Sequence, residues 1–368
     1  MIRRIVVSGV NLTEMGPLAV FRDALGSLAS SYGDRLAITA LVHRREMFDI
    51  PNVTYEEYPQ IKSSWLKRIR FEFQTSHLIC ERIKPDVWLS MDNITPNVQA
   101  EIQAVYCHNP SPFYKFRLYD LWLDWKFALF TLFFRYLYAV NIRKNNYVIV
   151  QQDWIRQQFK RAFRVENVIV AHPSVTIASE PIAQPQRPLS GSFRFFYPAY
   201  PRTFKNLETA LEAAALLEQK SVLDFELWVT IEGTETRYAA AIKRKYGHLA
   251  SVRWLGSLSR QRVFKVFEQV DCLLFPSKLE TWGLPITEFK NAGKPMLVAD
   301  LPYAHETVGD YEQACFFSPT AAGDLADLML SAVAGEAVFS KAIAKEIAPP
   351  FAANWQELWS LVLAKLAP

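Results

Sequence analysis

The sequence predicts an α/β protein made of two Rossmann-like, doubly wound domains. Short apolar runs rich in β-branched residues alternate with helical stretches along the chain, which is typical of parallel βαβ units. The alternation occurs in both halves, and a proline-rich segment without a hydrophobic period separates them. With 368 residues, 50% of them hydrophobic and 21% charged, the chain is long enough for two such domains, and its composition excludes a disordered protein.

Each half contains six candidate strands, enough for one doubly wound sheet. In the first half the strands are predicted at residues 5–7, 38–42, 87–90, 104–107, 147–150 and 168–171. In the second half they are predicted at residues 193–197, 226–231, 252–255, 272–275, 296–299 and 315–317. The proline-rich segment at 177–192 predicts a linker between an N-terminal domain at 1–176 and a C-terminal domain at 193–351.

Two helices are predicted from apolar residues that recur at core-facing spacing. The first begins at Leu207 and continues to Leu217, and the second lies within residues 352–368. Because Trp355 and Trp359 lie on one stripe of the second helix, that helix needs a broad apolar surface to cover it.

The net charge of +4 is small, and it is unevenly distributed. Residues 1–175 hold 22 Lys and Arg against 16 Asp and Glu, whereas the remainder holds 19 against 21, which indicates that the two halves meet different partners.

The four cysteines have no paired or metal-ligand spacing, and three lie in or beside apolar runs, which predicts reduced, buried thiols in a reducing compartment. The N-terminal residues are typical of a first strand rather than of a signal peptide, so we expect a cytoplasmic protein.

The most informative segment, residues 271–300, predicts a strand, a loop, a helix, a turn and a strand. Glu280 lies in the loop at the C-terminal end of the first strand, where parallel sheets bind ligands, and Glu288 lies about one turn into the helix. The backbone N–H groups that form a predicted phosphate site at the start of this helix belong to Thr281, Trp282, Gly283 and Leu284. Since carboxylates accept paired hydrogen bonds from vicinal hydroxyls, the segment predicts a pocket for a sugar attached to a phosphate.

The pair Glu280-x7-Glu288 is set in Pro-Ser-x-x-Glu-x-x-Gly-Leu-Pro and is followed by Ala-Gly-Lys-Pro. This pattern resembles the retaining GT-B glycosyltransferases of the family-4 (group 1) type, which include bacterial O-antigen and capsule mannosyl- and rhamnosyltransferases. The resemblance extends over about 193–366, and the terminal helix with Trp355 and Trp359 is part of it. It implies two Rossmann-like domains that face each other across a cleft, with the donor in the second, the acceptor in the first, and a terminal helix that crosses back onto the first domain.

The resemblance also implies roles for individual residues on the donor side. Glu280 matches the glutamate that contacts the donor sugar ring, Glu288 the one that holds the ribose hydroxyls, and Lys205 the lysine that contacts the donor diphosphate. An ammonium group at Lys205 would stabilise the charge that develops on the leaving diphosphate. The family arginine that usually precedes this lysine by five or six residues is absent here, and Arg202 is the candidate to replace it. No cofactor or metal is expected, and the sequence contains no Asp-x-Asp metal motif.

Candidate residues of the first half lie after its strands. His108 follows the strand at 104–107, and the resemblance implies a histidine near the donor sugar and the acceptor that orients groups or accepts a proton, although a histidine that only caps its loop remains an alternative. Asp92 is a candidate to meet an acceptor hydroxyl, and a capping role is equally open. Gly9 and Gly16 fit a loop that lines the diphosphate side of the cleft, although a lone pair of glycines is weak evidence.

Aromatic and basic residues are interleaved at 64–73 and at 119–141. Such a mixture is what an interfacial surface on anionic lipid needs, and Trp65, Lys67 and Arg68 are the candidate contacts. The apolar run at 127–134 is too short to span a bilayer. Ordinary core packing remains open for 119–138, and nucleic-acid binding lacks a recognition motif.

The function that these observations predict is that of a retaining hexosyltransferase at the inner face of the cytoplasmic membrane. We expect a nucleotide-sugar donor, with a GDP-mannose-type sugar favoured and a UDP-sugar possible. The expected acceptor is a lipid-linked glycan of lipopolysaccharide, O-antigen or capsule biosynthesis. A UDP-sugar 2-epimerase on the same fold and a non-catalytic sugar- or lipid-binding module are the alternatives, and the sequence contains no signal for the oligomeric state.

Overall fold

The computed structural model describes residues 2–13, 15–116, 118–173, 191–222, 224–336, 339 and 346–366. These residues pack as two compact units. The first unit comprises Met1–Phe113, Thr131–Ser174 and Ile347–Pro368, and the second comprises Tyr114–Phe130 and Val175–Glu346. Except for Gly191 and Ser192, the predicted linker at 177–192 lies outside the described residues.

The strands, in chain order, are β1 (Arg3–Ser8), β2 (Leu36–Val42), β3 (Val53–Glu57), β4 (Val87–Ser90), β5 (Ile102–Cys107), β6 (Tyr147–Val150), β7 (Val168–Ala171), β8 (Phe193–Tyr197), β9 (Phe225–Val229), β10 (Val252–Trp254), β11 (Cys272–Phe275), β12 (Met296–Ala299), β13 (Ala314–Phe317) and β14 (Phe351–Ala352). The α-helices are α1 (Met15–Tyr32), α2 (Trp65–Arg70), α3 (Ser76–Ile83), α4 (Leu118–Leu123), α5 (Trp125–Ala139), α6 (Asp153–Phe163), α7 (Leu207–Gln219), α8 (Arg237–Tyr246), α9 (Arg260–Gln269), α10 (Leu284–Lys290), α11 (Pro302–Val308), α12 (Ala322–Ala334) and α13 (Trp355–Leu363). A π-helical turn, Phe71–Thr75, joins α2 to α3. Short 3₁₀ turns lie at Arg45–Met47, Ile61–Ser63, Ser111–Phe113, Ile142–Lys144 and Thr203–Lys205.

The first unit contains one parallel sheet of eight strands, in the order β14-β7-β6-β5-β4-β1-β2-β3. All six strands predicted for this half are present, and the order reverses between β1 and β4 as in a doubly wound sheet. Two strands were not predicted. β3 lies at the sheet edge, and its sequence Val-Thr-Tyr-Glu-Glu buries no side chain fully, so it has no apolar run; β14 consists of only two residues that pair with β7.

The terminal helix α13 packs on the first unit, as the resemblance implied. Trp355, Leu358, Trp359 and Val362 are buried in the same core as residues of α1 and of the sheet. The indole of Trp359 is fully buried, and its Nε1 donates a hydrogen bond of 3.1 Å to the carbonyl of Ala24 in α1. The two tryptophans therefore cover the broad apolar surface that their spacing required.

The second unit contains one parallel sheet of six strands, in the order β10-β9-β8-β11-β12-β13. All six predicted strands are present, and the order reverses between β8 and β11. Helix α7 buries the predicted stripe from Leu207 to Leu217 completely. The loops that follow β8 and β11 leave neighbouring strands at the carboxyl edge of the sheet, which is where ligands bind in this architecture.

Residues Tyr114–Phe130 belong to the second unit, and the sequence contained no signal for this. Helix α4 and the first turns of α5 lie in this segment, whereas the rest of α5 belongs to the first unit. The ring of Phe127 lies 5.2 Å from the ring of Phe204, and the ring of Tyr114 lies 6.3 Å from it. The segment is therefore anchored beside the loop that follows β8.

Among the described residues, no helix is long and apolar enough to cross a membrane. Cys80, Cys107, Cys272 and Cys315 are buried free thiols.

Candidate active site

The two loops at the reversal of the second sheet bring Lys205 and Glu280 together. Lys205 ends the 3₁₀ turn Thr203–Lys205 after β8, and Glu280 lies in the loop after β11. Nζ of Lys205 is 2.5 Å from Oε1 of Glu280, and both side chains are mostly buried, with 20% and 13% of their surface exposed. Two residues that lie 75 positions apart, and that the sequence analysis selected separately, therefore form one ion pair.

Backbone contacts hold these two loops in register. The N–H of Lys278 donates to the carbonyl of Phe204 at 2.7 Å, and Nδ2 of Asn206 donates to the carbonyl of Pro276 at 2.9 Å. Asn206 is fully buried. Its backbone adopts a left-handed conformation, which asparagine tolerates better than most residues. The ion pair is thus built on a rigid frame rather than on free loops.

Two buried tyrosines support the same loops. The hydroxyl of Tyr197 donates to the carbonyl of Lys205 at 2.7 Å, and that of Tyr303 donates to the carbonyl of Ser277 at 2.6 Å. Burial raises the pKa of both phenols well above its usual value, and the Glu280 carboxylate raises it further. Both hydroxyls therefore stay protonated and act as fixed donors. Sequence reasoning missed them because each lies in an otherwise ordinary strand or helix.

Glu288 also has a cationic partner. Nη2 and Nε of Arg260 lie 2.8 Å and 3.0 Å from Oε1 of Glu288, whose side chain is 9% exposed. Burial raises the pKa of Glu288 above its usual value, and Arg260 partly offsets this by favouring the carboxylate. Arg260, the first residue of α9, was missed by sequence reasoning because a basic residue at the start of a helix carries no signal by itself.

The loop at 281–284 has a tight geometry that Gly283 permits. Gly283 has a φ of +83°, in the left-handed region, and precedes the first turn of α10. The indole of Trp282 donates to Oγ1 of Thr287 at 2.8 Å. The backbone carbonyl of Trp282 accepts a hydrogen bond from the hydroxyl of Thr307. The backbone here is fixed, while the binding roles of Thr281, Trp282, Gly283 and Leu284 remain predictions.

Arg202 flanks the turn that carries Lys205 and pairs with a different carboxylate. Its Nη1 lies 3.1 Å from Oδ2 of Asp124, and its guanidinium carbon lies 5.8 Å from the centre of the Tyr200 ring. The side chain is 41% exposed. Asp124 was not selected from the sequence, because its proximity to Arg202 depends on the packing of residues Tyr114–Phe130.

In the first unit, His108 is held by Asn93. The N–H of His108 donates to Oδ1 of Asn93 at 2.7 Å, and Nδ2 of Asn93 lies 3.1 Å from Nε2 of the His108 ring. Because the amide nitrogen can only donate, Nε2 accepts and the ring proton lies on Nδ1. Burial, with Arg68 nearby, lowers the pKa of His108 to about 4. This arrangement favours a neutral His108 ring that orients groups over a ring that accepts a proton.

Asp92 lies at the reversal of the first sheet, fully buried. Its Oδ1 accepts the N–H of Asn11 at 3.1 Å, and burial raises its pKa to about 6. Beside it lies Glu72, a buried carboxyl group in the π-helical turn whose two oxygens accept no hydrogen bond from the described residues. Burial and then Asp92 raise the pKa of Glu72 well above its usual value. Sequence reasoning did not select Glu72.

Arg68 does not lie on the membrane-facing surface for which it was proposed. Its side chain is buried, its Nη2 donates to the carbonyl of Asp92 at 2.6 Å, and its guanidinium lies 5.1 Å from the Trp65 ring centre. A cation that is enclosed by a carbonyl group and aromatic rings cannot reach lipid headgroups. Trp65 and Lys67 are accessible, with Trp65 41% exposed.

The two glycines of the first unit have structural explanations. A Cβ atom on Gly9 would lie 2.4 Å from the ring of Phe21, so a close approach of α1 to the end of β1 accounts for this glycine. Gly16 lies in the first turn of α1, not in a loop. Of the two glycines, Gly9 follows β1 outside the helix and Gly16 lies in α1, while a diphosphate contact of either one remains a prediction.

Comparisons with known proteins agree with this architecture. Residues 182–346 match the family model of the glycosyl transferases group 1. The chain is similar in structure to sucrose-phosphate synthase from Thermosynechococcus elongatus (TM-score 0.66, 12% identity, 99% of this chain and 97% of that chain). It is also similar to WaaG, a glycosyltransferase involved in lipopolysaccharide biosynthesis (TM-score 0.64, 14% identity, 99% and 95%), and to HepE from Anabaena in complex with UDP and glucose (TM-score 0.61, 13% identity, 98% and 96%).

A comparison with curated protein sequences finds no match. The structural likeness shows a GT-B fold with two Rossmann-like domains. The family match lies in the second half of the chain, where the residues that carried the resemblance are found.

Proposed function

From this GT-B fold and its group 1 segment, we propose that the protein is a retaining glycosyltransferase that moves a hexose from a nucleotide-sugar to a lipid-linked glycan. The observation that carries the proposal is the contact of Lys205 with Glu280 at the reversal of the second sheet. It places a cation and a carboxylate at the edge where this architecture binds ligands. A carboxylate can accept hydrogen bonds from sugar hydroxyls, and a cation can hold a diphosphate.

The proposed mechanism assigns the leaving group to Lys205. The bond between the sugar C1 and the diphosphate oxygen breaks with cationic character on the sugar, and the ammonium group stabilises the charge on the departing diphosphate. Only Oε1 of Glu280 contacts Lys205, which leaves Oε2 to accept hydrogen bonds from sugar hydroxyls. Glu288 is proposed to hold the ribose hydroxyls, for which Arg260 orients its carboxylate. The proposal uses no metal, so added EDTA is expected to leave transfer unchanged.

The donor is proposed to be a GDP-mannose-type sugar or a UDP-sugar. The first follows from the likeness to mannosyl- and rhamnosyltransferases, and the second is supported by the similar fold of HepE, which is in complex with UDP and glucose. The acceptor is proposed to be a lipid-linked glycan of lipopolysaccharide, O-antigen or capsule biosynthesis, which the likeness to WaaG supports. His108 is proposed to orient the acceptor in the first unit, whereas the fully buried Asp92, which accepts the N–H of Asn11, fits the capping alternative.

The function is tested by incubating purified protein with a membrane extract and a panel of GDP- and UDP-sugars. We expect one donor to transfer its sugar to the lipid fraction with retention of anomeric configuration, and the matching nucleoside diphosphate to raise the melting temperature. Release of free UDP with a 2-epimeric sugar in the absence of acceptor would instead identify an epimerase. Binding without turnover of any donor would identify a non-catalytic module.

We further propose that the protein binds the anionic inner face of the cytoplasmic membrane through an aromatic surface of the first unit. Trp65, Leu66, Phe133 and Tyr136 are exposed there, and the Trp65 ring lies 5.4 Å from that of Phe133. Exposed apolar residues of this size beside cations such as Lys67 suit the headgroup region of a bilayer. Sequence reasoning selected Trp65 and Lys67, whereas the buried Arg68 supports the surface from behind.

The triple substitution Trp65→Ala, Leu66→Ala and Lys67→Ala is expected to reduce sedimentation with anionic vesicles about tenfold or more, because it removes two apolar anchors and one cation. Vesicles of phosphatidylglycerol and phosphatidylcholine provide the measurement. A variant with Ile2→Ala and Lys160→Ala, which removes an exposed apolar residue and a cation elsewhere in the first unit, serves as the control. Equal sedimentation of the triple variant and the wild type would contradict the membrane surface.

A further inference from the structure

In the second unit, the cations at the two ends of the turn Thr203–Lys205 both pair with carboxylates. Lys205 pairs with Glu280, whose role follows from the proposed function, and Arg202 pairs with Asp124. The second pair has no counterpart in the resemblance, because Arg202 stands outside the usual arginine position. It requires an explanation of its own.

Asp124 is held in place independently of Arg202. It precedes the first residue of α5, its Oδ1 accepts the N–H of Phe127 at 3.3 Å, and its carbonyl accepts the N–H of Ala128 at 3.1 Å. This is the geometry of an N-cap. The contact of the Phe127 ring with the Phe204 ring then fixes this helix end beside the turn. The carboxylate is 12% exposed, so it is largely buried.

Arg202 engages Asp124 with only one end of its guanidinium. Nη1 lies 3.1 Å from Oδ2 and 3.5 Å from Oδ1, while Nε and Nη2 donate no hydrogen bond to the described residues. The turn links Arg202 to the lysine directly, since the N–H of Lys205 donates to the carbonyl of Arg202 at 2.9 Å. A diphosphate that contacts Lys205 is therefore within the reach of a long, flexible arginine side chain.

We infer that Asp124 sets the affinity for the nucleoside diphosphate by competing with its phosphates for Arg202. This inference rests on the proposed function and adds a residue to it. Asp124 neutralises Arg202. A diphosphate that binds has to draw the guanidinium away from this fixed carboxylate and tolerate the negative charge that remains. The ion pair between Asp124 and Arg202 forms again when the nucleoside diphosphate product leaves. Asp124 therefore weakens the binding of this product and speeds the release of the product.

The test is the substitution Asp124→Asn, which keeps an N-cap side chain and removes only the charge. We expect UDP or GDP, whichever the wild type prefers, to bind about two- to tenfold more tightly, the range that ion pairs of this exposure support. The gain should shrink as salt is raised from 50 to 500 mM, because exposed charges are screened. Calorimetric titration gives the dissociation constants, and Asp124→Ser, which also caps helices, provides a second neutral variant.

Three controls separate competition from a general structural effect. The uncharged nucleoside, uridine or guanosine, should bind the wild type and Asp124→Asn equally, because it has no phosphate to compete for Arg202. In the background of Arg202→Ala, removing the Asp124 charge should give less than half of the gain in binding free energy. Asp327→Asn, which neutralises an exposed carboxylate paired with Lys220 in the same unit, should leave binding unchanged.

The outcomes distinguish this inference from the proposed function. Unchanged or weaker diphosphate binding by Asp124→Asn, in a protein whose binding still depends on Lys205, would overturn the role of Asp124 and leave the function standing. A gain of equal size in the Arg202→Ala background would overturn it as well, since the charge would then act without the arginine. Failure of the wild type and both neutral variants to bind UDP or GDP would overturn both proposals.

Discussion

Replacing Lys205 by alanine is expected to lower kcat for sugar transfer by about 10²-fold or more while the fold is kept. The reason is that the ammonium group meets charge that grows as the bond to the diphosphate breaks, and loss of one such preorganised donor typically costs 10²–10³ in rate. The enclosed position of the side chain strengthens this interaction, because only 20% of its surface is exposed. Steady-state transfer assays with saturating donor give the measurement.

The conservative variant Lys205→Arg keeps the positive charge and is expected to retain more activity than Lys205→Ala. Lys220→Ala, on the exposed surface of the same unit, should leave kcat unchanged. Alanine at position 205 also leaves Glu280 without its cation, so melting temperatures are compared to show that both variants are folded. If Lys205→Ala transfers sugar at the wild-type rate, the leaving-group role of Lys205 is wrong.

The fold could be predicted because parallel strands are buried on both faces and therefore appear as short, continuous apolar runs. All six predicted strands of each half are present, and the terminal tryptophan helix packs on the first unit. The strand at Val53–Glu57 was missed because an edge strand needs no such run. Membership of Tyr114–Phe130 in the second unit could not be predicted, because it depends on ring contacts between Phe127 and Phe204, which are distant in sequence.

The donor side of the site could be predicted as far as its motif extends. Glu280 and Lys205 were selected separately, and the sheet reversal brings them into contact. Arg260 and Asp124 could not be predicted, because each reaches its partner through tertiary packing. Arg260 contacts Glu288 from the start of another helix, and Asp124 contacts Arg202 from residues 114–130. A motif identifies residues that touch a ligand, whereas the residues that tune them carry no local pattern.

The first unit shows the limit of composition as a guide. Basic and aromatic residues around Trp65 predicted a lipid-facing surface, yet the same composition also builds a buried cation between rings, as at Arg68. Only the structure separates the two uses, since both place Lys or Arg one helical turn from an aromatic residue. Glu72 was overlooked for the opposite reason: a charged residue in an amphipathic helix is normally assigned to the solvent face.

Replacing Trp359 by alanine is expected to destabilise the first unit by about 3–5 kcal/mol, the usual cost of truncating a buried aromatic residue. The indole is fully buried, lies 6.4 Å from the ring of Trp355 and donates its N–H to the carbonyl of Ala24. Alanine would leave a cavity between α13 and α1 and would remove the hydrogen bond to the carbonyl of Ala24. A loss of this size should lower the melting temperature by roughly 6–20 °C.

A matched control lies three residues earlier on the same helix. Gln356 is exposed, and its side chain forms no hydrogen bond with the described residues, so Gln356→Ala should change the melting temperature by little more than 1 °C. The conservative Trp359→Phe keeps most of the volume but loses the N–H donor, so its cost should fall between the two. If Trp359→Ala melted like Gln356→Ala, α13 would contribute little to the unit it covers.

The position of α13 in the chain makes this prediction more than a test of core packing. The helix lies at the C-terminal end of the described residues, yet it packs on α1, which begins at Met15, and follows β14, which extends the first sheet. The first unit therefore completes its core only after the whole second unit has been synthesised. A cavity at Trp359 should consequently slow or reduce recovery of folded protein from denaturant as well as lower the melting temperature, because the contact that closes the core forms across a sequence separation of 335 residues.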